Sequence, residues 1–517
     1  MNKILLILLS MVLILSGCTQ QQVNEPAKIT TSLDKGVVRV IREDEGPAQG
    51  GILNLFMVKP DTLNPLTSQN ATVRQLSAFV FDSLFLEEED GTLINSLADD
   101  YAFSQDGLIL DITLRDDILF HDEQPLTADD VAFSLETIRT ANKRSLYGNH
   151  VSNIETVKVI NRLSLRLILR TPDTTLPDKL TFPIIPRHVF QDWPIEGHDS
   201  TMKLIGTGAF KFDSYEGEVL SLLRNDSWWY LKVPDGLSHP IWLDGITFKV
   251  FSNVSEMMQA FQKQDIDIAY LDESGLESYE KRADIFLNRY ESNALEFLAF
   301  SPVGREGSPI KQEAFRASMI QYLSQYALLN PLPIGKSAIP LSGETSHENQ
   351  AASGNRINRE STLEALAAIG FTYEEDDNRL IFVKNGSKIH VSLSLKYNGQ
   401  NPDRQTVSEW ITSALFEIGI NVTPESTSYS DEQALIKNGK FDMMLLGCRM
   451  PLFTDMAGSL ELVKRTLGMD EHNGVLLPLY RKYGAVLYHN SIRGPRSPSW
   501  KNLYNGWMDW YLVKSPE

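Results

Sequence analysis

The chain has 517 residues, 42% of them apolar and 22% charged, with a formal net charge of −19. At about 100–200 residues per domain this is enough for two to four domains with a real core. The acidic balance excludes binding to a nucleic-acid backbone as the main task, because that needs clustered Lys and Arg.

Residues 1–17 read as a signal peptide: Lys3 supplies the positive start, and Ile4 to Leu15 form an apolar run broken only by Ser10. The run is shorter than the roughly 20 residues a membrane span requires. Leu15-Ser16-Gly17-Cys18 resembles the bacterial lipobox, in which the cysteine becomes the first mature residue and carries a diacylglycerol group. Two or more acyl chains on Cys18 would hold the protein at the outer face of the cytoplasmic membrane. Residues 18–48 then read as the acylated Cys and a flexible tether. Cys448 is left as a single cysteine, so no internal disulfide is expected.

The folded body begins near Gly50-Gly51, with a strand over Ile52 to Val58. Val73, Leu76, Phe79, Val80 and Leu84 predict a helix within 72–85. Asp106-Gly107 predicts a hairpin turn between Tyr101–Phe103 and Leu108–Leu110. Thr127 with Asp130 forms a capping box before a helix carrying Val131, Leu135 and Ile138. Residues 154–170 alternate as a second hairpin. Two stretches then read as strand, helix, strand. One is Ile246–Val250, a helix with Val254, Met257, Met258 and Phe261, and Asp267–Leu271. The other is Gly419–Val422, a weaker helix near Asp431–Lys437, and Phe441–Leu446. Each implies parallel strands with helices packed on the sheet. The stripe Val407, Ile411, Ala414 and Ile418 predicts a core helix ahead of the second unit.

Catalytic patterns are sparse. There is no His-Glu-x-x-His, no Cys-x-x-Cys and no Gly-x-Ser-x-Gly. Gly206-Thr207-Gly208 reads as a turn rather than a dinucleotide loop. His121 and Asp122 are adjacent in extended chain and point to opposite faces. Cys448 has no histidine nearby in sequence to activate it. The histidines are few and unclustered, which disfavours direct metal ligation. No catalytic residue, metal site or cofactor is expected.

Several segments in succession resemble the bacterial extracellular solute-binding proteins of family 5, which serve oligopeptide, dipeptide and nickel importers. These are Gly50–Leu53 with Asp61-Thr62-Leu63-Asn64-Pro65, Phe81–Leu84, Ser96–Asp99, Leu114–Val131, Ile185–Val189, Ile205–Phe210, and Leu223–Asp226 with Trp228-Trp229. The resemblance implies an α/β fold of the two-lobed periplasmic-binding-protein type (type II, cluster C) with an extra inserted domain. Lobe I would span 49–292, with the insertion at about 70–183. Lobe II would span 293–470, and 471–517 would return to lobe I. It also implies a monomer that traps an oligopeptide in the inter-lobe cleft and presents it to the permease subunits of an ABC transporter. Contact with the membrane would be through the lipid alone.

The resemblance places ligand contacts at Gln69, Asn70 and Ala71, at Tyr147, at Tyr397 and Asn398, at Tyr429 and at Gly447. After Gly447 the chain departs from the family's Gly-Trp-x-x-Asp: Cys448 replaces the Trp and Pro451 the Asp. Asp455 is the nearest carboxylate, and Arg449 would favour an acidic or carboxylate-bearing ligand. Alternative roles are a peptide-sensing lipoprotein receptor, or a family member that takes a nickel chelate or haem.

Overall fold

The computed structural model describes residues 30–34, 37–41, 46–88, 91–141, 144–193, 203–233, 239–272, 276–334, 338–340, 359–384, 386–450, 456–467 and 475–513. Met1–Gly46 and Pro47–Glu517 are separate units. In the first, Thr30–Asp34 pairs antiparallel with Val37–Ile41. The stretch read as a tether therefore carries a hairpin, favoured by the β-branched Val37, Val38, Val40 and Ile41. Cys18 and the signal sequence lie outside the described residues.

In the second unit, strand Ile52–Val58 pairs parallel with Gly245–Phe251. Val219–Arg224 and Phe210–Glu216 continue that sheet in antiparallel fashion. A separate four-stranded antiparallel sheet is ordered Ala98–Phe103, Ile109–Leu114, Ser164–Leu169, Ile154–Asn161. Its first hairpin turns at Gly107, whose φ of 69° is cheap only for glycine. Helix Ala128–Ala141 starts as expected. Thr127 donates from its backbone N and its Oγ1 to Asp130 Oδ2, at 2.9 and 2.7 Å.

The helix expected within 72–85 is shorter, Ala71–Val80, and Phe81 leaves it extended. The next residue explains the stop. Asp82 is half-buried and accepts hydrogen bonds from Trp229 Nε1 (2.7 Å), Thr207 Oγ1 (2.9 Å) and Trp228 Nε1 (3.3 Å). Gly206 and Gly208 run against the helix end. A Cβ on either would lie 2.0 Å from Val80 O or 2.6 Å from Val80 C. His121 closes this loop, with Nε2 donating to Gly208 O (3.0 Å) and Nδ1 accepting from Gly206 N (3.2 Å). Its role is a brace between chain segments.

The largest sheet is ordered Ile268–Asp272, Val475–His489, Ile285–Phe300, Met443–Arg449, Ser392–Asn398, Asn421–Thr427. Its two long strands, Ile285–Phe300 and Val475–His489, pair antiparallel and join two hydrophobic cores. Tyr290, Val486 and Tyr488 belong to the core built on the first sheets, whereas Leu298, Phe300, Leu477 and Tyr480 belong to a second. Val407, Ile411, Ala414 and Ile418 fill that second core, as their spacing requires. Alternate residues Leu295, Phe297 and Ala299 face a further cluster on the opposite side of the sheet. Both faces are covered, which is why Phe297–Phe300 and Met443–Leu446 read as unbroken apolar runs.

Both strand–helix–strand units form, but the joined strands are not neighbours. Ser392–Asn398 lies between Asn421–Thr427 and Met443–Arg449 and is parallel to both. In the other unit, Asp267 N donates to Asn54 O at 2.7 Å, which sets Ile52–Val58 beside the start of Ile268–Asp272. Sequence spacing identifies the two strands of such a unit and leaves open which distant strand inserts between them.

Candidate functional site: a crevice at the strand switch point

Helix Pro402–Phe416 leads from Ser392–Asn398 to a strand on one side, and helix Tyr429–Asn438 leads back to a strand on the other. The two helices pack on opposite faces of the sheet, against different apolar clusters. In open α/β sheets such a reversal leaves a crevice outside the carboxyl ends of the strands. Tyr397, Asn398, Thr427, Gly447 and Arg449 are at those ends.

The strands separate at this edge. Ser392–Asn398 and Met443–Arg449 pair only at Leu395 with Met443 and Lys396 with Met444. Beyond that they diverge, although Asn421–Thr427 still pairs with Tyr397 and Asn398, and Ala294–Glu296 with Gly447–Arg449. Among the described residues, no strand fills the gap that the inner edges of Tyr397-Asn398 and Leu445–Arg449 face.

The adjoining loops are held by side-chain caps. Asn398 Oδ1 accepts from Gln400 N (2.9 Å), and Asn401 Oδ1 caps the helix through Asp403 N (3.1 Å) and Arg404 N (3.3 Å). Thr427 Oγ1 donates to Tyr397 O at 3.1 Å. Ser428 caps the next helix through Asp431 N at 3.3 Å. Between these loops lies a groove of about 1000 Å³, bordered by Lys396, Gln400, Ser426 and Tyr429, with Tyr429 70% exposed. A more enclosed cavity of about 210 Å³ opens near Ser301 and Phe441, toward the opposite ends of the strands.

An ion cluster lies under the crevice floor. Arg404 Nε bonds Glu296 Oε2 at 2.8 Å, and Arg404 Nη1 is 3.6 Å from Glu432 Oε1. The Arg404, Glu296 and Glu432 side chains are 11%, 9% and 3% exposed. Burial raises the Glu432 carboxyl above its ordinary range, Arg404 opposes that shift, and Glu296 adds to it. Gly447 belongs to this cluster sterically. A Cβ there would lie 2.4 Å from Glu296 Oε1 and 2.8 Å from Arg404 Nη2. Burial and the Glu296 charge push the Cys448 thiol up to about 11, which keeps it protonated and unreactive.

Of the residues singled out in the sequence, Tyr397, Asn398, Tyr429, Gly447 and Arg449 gather at this edge. Arg449 is exposed, and its Nη1 is 3.4 Å from Asn293 Oδ1. Gln69, Asn70 and Ala71 form the entry to helix Ala71–Val80. Gln69 and Ala71 are exposed, whereas the Asn70 side chain bonds Val58 O, Lys59 O, Thr72 N and Thr72 Oγ1. Tyr147 is enclosed in the first core against His150 and Phe182 and offers no open ring surface. Asp455 lies outside the described residues. Arg404, Glu296 and Glu432 were not identified from sequence. Among the described residues no group of three or more His, Cys, Asp or Glu could hold a metal ion, and no helix is long and apolar enough to cross a membrane.

Two α/β cores joined by paired long strands, with a crevice at the switch point, define a two-lobed solute-binding fold. Residues 92–466 match the model of the bacterial extracellular solute-binding proteins, family 5 (middle region), and the chain belongs to that family. It is 23% identical over 425 residues to the oligopeptide-binding protein AppA of Bacillus subtilis, covering 79% of this chain and 75% of that one. It is 22% identical over 405 residues to the nickel-binding periplasmic protein of Escherichia coli, covering 74% and 73%. Among solved structures, the substrate-binding protein CtaP of Listeria monocytogenes superposes with a TM-score of 0.64 at 19% identity, covering 91% of this chain and all of that one. AppA of Bacillus subtilis in complex with a nonapeptide gives 0.55 at 19%, with 91% and 100% coverage.

Proposed function

We propose that this protein is the extracytoplasmic substrate-binding lipoprotein of an ABC importer and captures an extended oligopeptide in the crevice. The divergence of Ser392–Asn398 from Met443–Arg449 carries this reading. Two strand edges that part without pairing to each other are a template for a guest strand, and backbone pairing accepts any peptide sequence. The hydroxyl- and amide-bordered groove beside them suits hydrated side-chain pockets. Closure of the two lobes follows from contacts made to the guest by both. The AppA–nonapeptide complex supports a peptide as ligand. The Leu-Ser-Gly-Cys sequence supports acylation at Cys18 and anchoring at the outer membrane face.

Native mass spectrometry of the purified protein tests the reading. A mixture of short peptides should co-purify and be released on unfolding. Protein that carries no peptide and shows no thermal shift with a peptide library would refute it.

A further inference from the structure

The two long strands are irregular where they pass between the cores. Glu291 pairs with Tyr483 and Leu295 with Arg481, so residues 292–294 bulge opposite the single residue Lys482. A second shift follows between Glu296 and Phe297. Bulges bend a strand and concentrate φ/ψ change at a few positions, which makes this the natural place for the lobes to hinge.

Both strands are tied here to one helical turn. Arg404 is held by Glu296 on the first strand, 2.8 Å away, and Asp403 by Lys482 on the second, at 3.4 Å. The two pairs have opposite polarity and come from consecutive residues. Arg404 also faces Glu432 of helix Tyr429–Asn438. The turn begins at Asn401, which closes the loop Asn398–Asn401: Gln400 N bonds Asn398 Oδ1 (2.9 Å) and Asn401 N bonds Asn398 O (3.1 Å). From Asn398 to the bulge there is thus a continuous series of polar contacts, exposed at Gln400 and partly buried from Asn401 to Glu296 and Lys482. The partly buried contacts are stiffer than exposed ion pairs.

We infer that Asp403 and Arg404 are positioning residues that couple the crevice loop to the hinge, so that loop 398–401 and the bulge at 292–296 move as one piece. The inference rests on the reading of the crevice as the ligand site. A guest strand that fixes Asn398 would then bias the hinge through this turn as well as by bridging the lobes. A two-state element that both sites bias is what such coupling requires.

Hydrogen–deuterium exchange of the full, ligand-free chain tests the coupling. Arg404→Met should speed exchange at least about fivefold in both 292–296 and 398–401. Ile411→Val, a core change in the same helix, should speed neither selectively. If Arg404→Met misfolds, Asp403→Asn and Lys482→Met serve instead. Each alone should loosen both segments, and the double variant should add little to either. Loosening confined to one segment, or an equal effect from Ile411→Val, would overturn the inference. A second arm titrates an equimolar library of alanine-rich tri- to hexapeptides, with inter-lobe distance read by paired spin labels. Arg404→Met should weaken binding about tenfold and reduce closure at saturation. Full closure at saturation would overturn the coupling. If wild-type protein binds no library peptide, the function proposed above fails, and the ligand-free exchange still decides the coupling.

Discussion

Replacing Gly447 by alanine should cost far more than one methyl group would suggest. The new Cβ would sit 2.4 Å from Glu296 Oε1 and 2.8 Å from Arg404 Nη2. A carbon and an oxygen not bonded to each other rest about 1 Å further apart than the first of these, so the carboxylate must move. Moving it breaks the 2.8 Å bond to Arg404 Nε. Breaking a buried pair costs about 3–5 kcal/mol when one charge is left without a partner. Here Glu432 still faces Arg404, so the lower end applies. Alanine returns about 0.4–1 kcal/mol by restricting the unfolded chain. The expected net loss is about 2–3 kcal/mol, read by urea unfolding. On a Glu296→Ala background the carboxylate is gone and the Arg404 guanidinium, released from it, can swing away from the new Cβ, so Gly447→Ala should then cost less than about 1 kcal/mol. Equal losses on the two backgrounds, or a loss below about 0.5 kcal/mol in the parent, would refute the packing argument.

Other outcomes follow from the same geometry. Burial raises the Asp82 carboxyl above its ordinary value, so the folded state binds that proton more tightly than the unfolded chain. Its contribution to stability is therefore present at low pH and lost as pH rises through the raised value. In pH-dependent unfolding Asp82→Asn should lack that decline, and identical profiles would contradict it. Burial lowers His121 to about 4. The imidazole is neutral in the fold, and the stability it confers is present above about 6.5 and lost as pH falls toward 4. NMR titration should find no His121 transition between pH 5 and 8. Gly206→Ala should cost more than about 3 kcal/mol or prevent folding, because its Cβ would meet Val80 O. Tyr429→Ala should leave stability within about 0.5 kcal/mol while weakening peptide binding several-fold by calorimetry, because the ring is exposed at the groove.

Local features were legible in the sequence because their causes are local. The Gly107 turn, the Thr127–Asp130 cap and the Val407–Ile418 stripe each depend on residues within a few turns of one another. Strand neighbours were not legible. Whether Ser392–Asn398 inserts between the strands of the second unit depends on the whole sheet. The helix boundary at Val80 was missed for the same reason, since Asp82 is claimed by Thr207, Trp228 and Trp229. At the site, Gly447 and Asn398 could be named by resemblance, but the reason for the glycine could not. Glu296 and Arg404 are separated by 108 positions, and nothing in their local sequence pairs them. The retrospective signal is Asn401-Pro402, a helix start that places Asp403 and Arg404 in a first turn beside the crevice. Tyr147 is enclosed in the first core, and a lone aromatic in the sequence reads the same there as on a cleft wall.

The most direct test of strand capture is backbone exchange with a peptide mixture added. Amides within Leu445–Arg449 and Tyr397–Gln400 should slow together on binding, while those of Ser301, Val303, Gly439 and Phe441 at the opposite strand ends stay unchanged. Bound peptide that leaves both diverging edges exchanging at their free rates would contradict capture there.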